Sequence, residues 1–439
     1  MATESLFQDY IREDFPKFVA AIVEKLNGKI QSELPYLYRG MLRKEYSVSG
    51  IWESLSVFNN RVVADYVALD SDLPLKKRDS LRKAVGEIAK QGIMYQLNER
   101  QLRNLQLLRK TGAQESEILQ RLFEDVSKCI TGIYENIERT FLEGFSSGVA
   151  EIDDSENVGI GARLNYNYLD ENKFTPVINW SDRTNAKPLS DIARIKKAAK
   201  AKGVILRYIY MNEATFEDFI ANAEVKDFYA WRIGFTGNTS LIQQPTLEQI
   251  NQVLRSDTRY GVEIEIVDRQ FIREKDGVQT TFDAWAANSV ILTTEKEVGI
   301  LFWTDLAEMD NHIAGVNYSE VDEFILVSKF GENRPALSEF TAAQACVVPV
   351  ICNVEQIYQL DAAGASSDST ASDSNVTLWG TEYTKASVLA GLTTIGAPAP
   401  DGATEAQIAQ HVNKLSKAKQ NQLKPLLTEY TAPAQNGEG

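Results

Sequence analysis

A chain of 439 residues with 44% hydrophobic content can bury a full core and has room for two or three domains. Its 61 acidic against 46 basic residues give a formal charge of -15, which disfavours nonspecific nucleic-acid affinity over the whole surface and favours solubility. No run approaches the ~20 apolar residues of a membrane helix, and the opening MATESLFQDYIRED lacks a signal peptide's basic and apolar regions, so the expected compartment is a cytoplasm.

From the N-terminus, the spacing of Phe15, Phe18, Val19, Ile22, Val23 and Leu26 predicts an amphipathic helix over 6–27, with Gly28 as its stop. LPYLYRGML (34–42) and GIWESLSVF (50–58) are aromatic-rich but too irregular for a core of their own, so they are expected to pack on something else. RVVADYVAL (61–69) reads as a strand. The stretch after it sets Asp70 and Asp72 just ahead of Lys76, Lys77, Arg78, Arg82 and Lys83, an exposed loop of both charge signs.

Over 114–147, Ile118, Leu122, Val126, Ile130, Ile133, Ile137, Phe141 and Phe145 recur at steps of three or four, widened by Leu119, Phe123 and Tyr134. This is one long helix of ~50 Å. Its other face carries Glu117, Arg121, Asp125, Lys128, Glu135, Glu138 and Arg139. That face reads as solvated, or as a partner surface.

A mixed block follows at 164–182, then a helix over 189–202 and a buried strand VILRYIYM (204–211). A short helix over 212–222 can be capped by Asn212 or Thr215, and another covers 246–257. VEIEIVDRQFIREKDGVQTTFDAW (262–285) alternates up to an Asp276-Gly277 turn. With SVILTT and VGILFWT it predicts an antiparallel meander of about four strands. EFILVSKF (323–330) and ACVVPVICNV (345–354) add two strands that end the main body. From Asp361 the composition turns to DAAGASSDSTASDSN, a flexible linker, before a small, mostly helical appendage and the tail TAPAQNGEG, expected to be disordered.

The residues offer little chemistry. Cys129, Cys346 and Cys352 match no zinc spacing and read as buried free thiols; His312 and His411 have no nearby second ligand. GIGAR (159–163) lacks the strand and the Gly-Lys-Ser/Thr of a phosphate loop. Asp153 with Asp154, or Asp305 with Glu308, have no predicted pocket, and Trp231 and Trp285 read as core. No catalytic residue, cofactor or metal site is expected.

The order of parts, together with RVVADYVALDSDLPLKKR, YMNEATFEDFIANAEV and FDAWAANSVILTTEKEVGILFW, resembles the major capsid proteins of tailed bacteriophages, the lambda-like group above all, over roughly 30–360. The resemblance implies an α+β subunit of the Hong Kong 97-type capsid fold. On it, 1–60 is an N-terminal arm, 61–97 an extended E-loop, and 98–215 a P-domain with the spine helix. Residues 216–322 are an axial A-domain, 323–360 return strands, 361–380 a linker and 381–439 a C-terminal extension. The chain departs from the family pattern in that last extension and in showing no cleavable scaffold-like prodomain.

The implied function is a shell of hexamers and pentamers around packaged double-stranded DNA, assembled in the host cytoplasm. The implied partners are copies of itself, a scaffolding protein, a portal and decoration proteins, with nonspecific DNA contact and no membrane. Trp52, Phe58, Tyr66, Asp70, Asp72, Lys76, Lys77, Arg78, Arg82 and Lys83 are the implied contacts between subunits. The alternatives are an encapsulin-type nanocompartment, a non-enzymatic cytoplasmic binding protein and an acid-based hydrolase.

Overall fold

The computed structural model describes residues 5, 15–33, 36–57, 81–111, 115–152, 162–235, 237, 243–275, 277–333, 336–364, 375–379, 381–394, 408, 411–412, 417–424 and 427. The chain divides into two compact units, 1–364 and 365–439.

In the first unit the N-terminal segment supplies α1 (Phe15–Glu33), α2 (Leu37–Met41), β1 (Leu42–Tyr46) and β2 (Ile51–Val57). Then come β3 (Leu81–Glu87), β4 (Lys90–Leu97), α3 (Glu99–Lys110) and the spine α4 (Glu115–Ser147). The middle of the chain holds β5 (Val149–Ile152), β6 (Ala162–Asn165), β7 (Lys173–Phe174), α5 (Pro188–Ala201), β8 (Tyr208–Met211), α6 (Glu213–Ala221), α7 (Ala223–Arg232) and α8 (Leu247–Ser256). The strands β9 (Glu263–Ile266), β10 (Gln270–Lys275), β11 (Val278–Asp283), β12 (Ser289–Thr293), β13 (Gly299–Thr304), β14 (Asn317–Val321), β15 (Ile325–Glu332), β16 (Ser338–Ile351) and β17 (Tyr358–Asp361) complete it.

The spine runs 33 residues because its apolar stripe never loses the helical period. Val126, Ile130, Ile133, Ile137, Phe141 and Phe145 are all buried along it. They pack on a sheet of order β1-β13-β16-β15-β14, with β4 also paired to β16. The long strand β16 joins these pairings, running antiparallel to β15, β4 and β13, while β1 lies parallel to β13.

A second sheet has the order β7-β17-β12-β8-β9. Side chains alternate across a strand, and here both faces are covered. Ile209, Met211, Val290 and Leu292 face a core shared with α5, α6 and α8, while Tyr210 and Ile291 face the spine's core. Tyr210 meets Phe145 edge-on at 5.3 Å.

This second sheet corrects the predicted meander. Only β10 and β11 form the hairpin, closed over a two-residue loop whose Gly277 has φ +78°. β9 instead runs parallel to β8, as a crossover through α6, α7 and α8 allows. β12 pairs with β8 and β17, and β13 belongs to the other sheet. The apolar run VIL of β12 needs cover on both faces, which a one-sided meander could not provide.

Other boundaries move for local reasons. α1 passes through Gly28 to Glu33, since one interior glycine costs only about 1 kcal/mol. The strand predicted from 204 pairs only from Tyr208, because the Val204 amide closes the end of α5 on Ala199. Asn212 caps α6, accepting from the Thr215 amide at 3.2 Å, and Asn222 then caps α7.

The second unit carries a β-hairpin, β18 (Asn375–Leu378) with β19 (Thr381–Thr384), beside helices α9 (Lys385–Thr394) and α10 (Lys417–Leu423), so it is not purely helical. Leu378, Val388, Leu392, Ile408, Val412 and Leu423 form its core. The tail 431–439, the acids Asp153 and Asp154 and residues 159–161 of GIGAR lie outside the described residues.

Candidate assembly surfaces

The irregular N-terminal segment finds its partner on the spine. Glu138, predicted on a solvated face, is only 2% exposed; its two carboxylate oxygens accept the backbone amides of Leu37 and Tyr38 at 2.8 and 3.0 Å. Burial pushes its carboxyl up to about 7, against the pull of those two amides and of Arg269.

Around this clamp, Tyr134 on the spine and Tyr36 just ahead of α2 each face a cation. The Arg39 guanidinium lies 4.5 Å from the Tyr134 ring and reaches Asp322 at 3.7 Å. Arg269, ahead of β10, lies 4.4 Å over Tyr36 and pairs with Glu135, which also accepts from the Tyr36 hydroxyl. Part of the spine's charged face is thus used inside the chain. Lys128 pairs with Glu124 one turn away.

A second tie joins residue 5 to the sheet. Ser5 donates to Glu339 at 2.5 Å, and Glu339 lies 3.7 Å from Lys329, both fully buried. Lys329 also donates to Thr341, and burial lowers its pKa. Neither this pair nor Arg269 carries a sequence signal, since adjacent strands bring Lys329 and Glu339 together only through register.

Of the implied contact residues, Trp52 is covered by its own chain. It is 2% exposed on β2, beside Tyr166 at 6.5 Å between ring centroids and over Gly86. Its exposure is spent before any second copy arrives, which corrects the expectation of burial between chains. Arg82 and Lys83 sit on β3, at backbone positions opposite Ser56 and Leu55. Phe58, Tyr66, Asp70, Asp72, Lys76, Lys77 and Arg78 lie outside the described residues.

The thiols and His312 have ordinary surroundings. Burial pushes Cys129 up to about 12, and Cys346 and Cys352 are half-buried rather than fully so. His312 stacks on Tyr318 at 4.5 Å. Asp305 accepts from the Tyr46 hydroxyl. Trp285 is core as predicted, whereas Trp231 stands 68% exposed. Among the described residues no group of three metal-ligating side chains occurs, and no helix is long and apolar enough to cross a membrane.

Residues 87–325, more than half of the chain, match the family model described as phage major capsid protein E. The chain belongs to that family. This major capsid protein is therefore a component of the virion shell, it associates with copies of itself, and its α+β fold is of the Hong Kong 97 type. No curated protein matches it. Among solved structures it is similar to a prophage capsid protein of E. coli CFT073, at 8% identity and a TM-score of 0.48, over 79% of this chain and 98% of that one. The cyanophage A-1(L) capsid gives 10% identity and a TM-score of 0.44, over 75% and 94%. The capsid of the Myoviridae phage XM1 gives 9% and 0.38, over 74% and 90%.

Proposed function

We propose that this major capsid protein closes into hexamers and pentamers of an icosahedral shell around double-stranded DNA, in the host cytoplasm and with no catalytic step of its own. The family match over 87–325 carries the reading. The division into arm, E-loop, P-domain, A-domain and extension is part of the same proposal. Its E-loop is placed at 61–97, and the part that would lie across a neighbouring copy is the part ahead of β4, since β4 (Lys90–Leu97) pairs with β16 of its own chain. Phe58, Tyr66, Asp70, Asp72, Lys76, Lys77, Arg78, Arg82 and Lys83 would then supply contacts in which complementary charge sets register more than affinity.

Scaffolding protein, portal and decoration proteins are the further partners. A shell must accept the whole genome, so its DNA contact carries no sequence preference, and a net charge of -15 keeps that contact weak. Filter binding of unrelated duplexes tests this. Weak, salt-sensitive and equal retention is expected; tight binding of one sequence at physiological salt would refute it.

A further inference from the structure

Two surfaces of the first unit have chemistry that their own chain leaves unused. The first is the corner after α7, where Trp231, Ile233 and Phe235 stand in solvent. The corner is rigidly built: the Phe235 amide bonds Ala230 at 2.9 Å, and Gly234 turns the chain at φ +71°. Beside it, Arg232 and Arg259 both hold the single carboxylate of Asp257, leaving a net positive charge next to the exposed indole. Three large apolar side chains exposed within five residues mark a contact surface.

The second is a cleft of about 1010 Å³ lined by the buried Val267 and Trp285, which make its apolar floor, by six carboxylates that include Glu213, Glu217 and Asp268, and by two cations, Arg163 and Arg269. The Asp268 carboxylate beside Glu213 raises the pKa of Glu213. The cleft combines an apolar floor with an excess of negative charge on its rim.

Strand register sets the two surfaces at opposite ends of one structure. β8 and β9 run parallel from Tyr208 with Glu263 to Met211 with Ile266. Asp257 and Arg259 precede that pair, while Asn212, Val267 and Asp268 follow it. Four strand residues span ~13 Å, so one copy's corner and its own cleft lie beyond opposite ends of that strand pair. Complementary surfaces on opposite ends of identical chains meet head to tail, a contact that repeats and closes rings.

We propose that the Trp231 corner of one copy seats in the acidic cleft of a second copy, with the indole on the floor and the arginines against the acidic rim. The inference rests on the self-assembly reading and names a surface for it. Full-length Ile233→Cys, which keeps the indole, and Glu217→Cys chains, mixed during assembly and oxidised, test it against Val177→Cys, a more exposed control. At least tenfold more cross-linked dimer is expected from the mixture than from the control paired with Glu217→Cys. Trp231→Glu should also lower the assembled fraction at least tenfold with unchanged circular dichroism. A wild-type chain that assembles while the mixture cross-links no better than the control would overturn this contact alone. A wild-type chain that never self-associates would overturn both it and the reading beneath it.

Discussion

Glu138 on the spine helix grips the amide of Tyr38, a hundred residues earlier in the chain, at 3.0 Å inside the core. A buried carboxyl with a pKa raised to about 7 binds its proton more tightly in the folded than in the unfolded chain. Its contribution to stability is therefore greatest at low pH and falls as pH rises from about 4.5 to about 7. The full swing is on the order of 3 kcal/mol. Urea unfolding of wild type and Glu138→Gln at pH 5 and pH 8 checks this. The wild-type midpoint should drop with pH and the variant's should move much less; parallel behaviour would refute it.

Trp52 leaves no room over Gly86, where an added Cβ would lie 2.7 Å from the indole nitrogen. That nitrogen is buried without a hydrogen-bond partner. Gly86→Ala should cost about 1–3 kcal/mol by overpacking. Trp52→Phe in the same chain should recover part of it, so a double-mutant cycle from thermal unfolding should give a clear coupling. Strict additivity would mean the two residues do not touch.

Asp257 is the acid-sensitive counterpart. Burial would raise its carboxyl, but bonds from the side chain and amide of Arg259 and from Arg232 outweigh it and hold it at about 2. A depressed carboxyl stabilises above its unfolded value, near 4, and that stability is lost as pH falls through 2. Arg259 is largely exposed, which reduces the effect to about 1–2 kcal/mol. Asp257→Asn should remove that loss from the acid-unfolding curve; an unchanged curve would contradict the assignment.

Much of the fold was legible where one signal persists over many residues. The spine, predicted over 114–147, forms as Glu115–Ser147. The cap of α6 was legible as Asn212 or Thr215, and the structure takes Asn212, because a cap is chemistry within four residues. Strand partnership was not: β9, β12 and β13 follow one another in sequence, but their partners are chosen by cover on each face, which is nonlocal. Glu138 looked solvated because its partners are backbone amides, which leave no mark in the sequence. Trp231 looked like core because an aromatic residue carries no label for the side of a helix it occupies.

The charged run at 76–78 gives a test of the E-loop. Reversing Lys76, Lys77 and Arg78 to Glu should reduce assembly at least tenfold while thermal unfolding of the isolated chain stays within a degree or two. Normal particles from this variant would remove these residues from the contact.

Electron microscopy of the purified full-length chain at high concentration, alone and co-expressed with scaffold and portal, bears most directly on the central claim. Closed particles or five- and six-membered rings are expected. A chain that stays monomeric under every one of these conditions would contradict it.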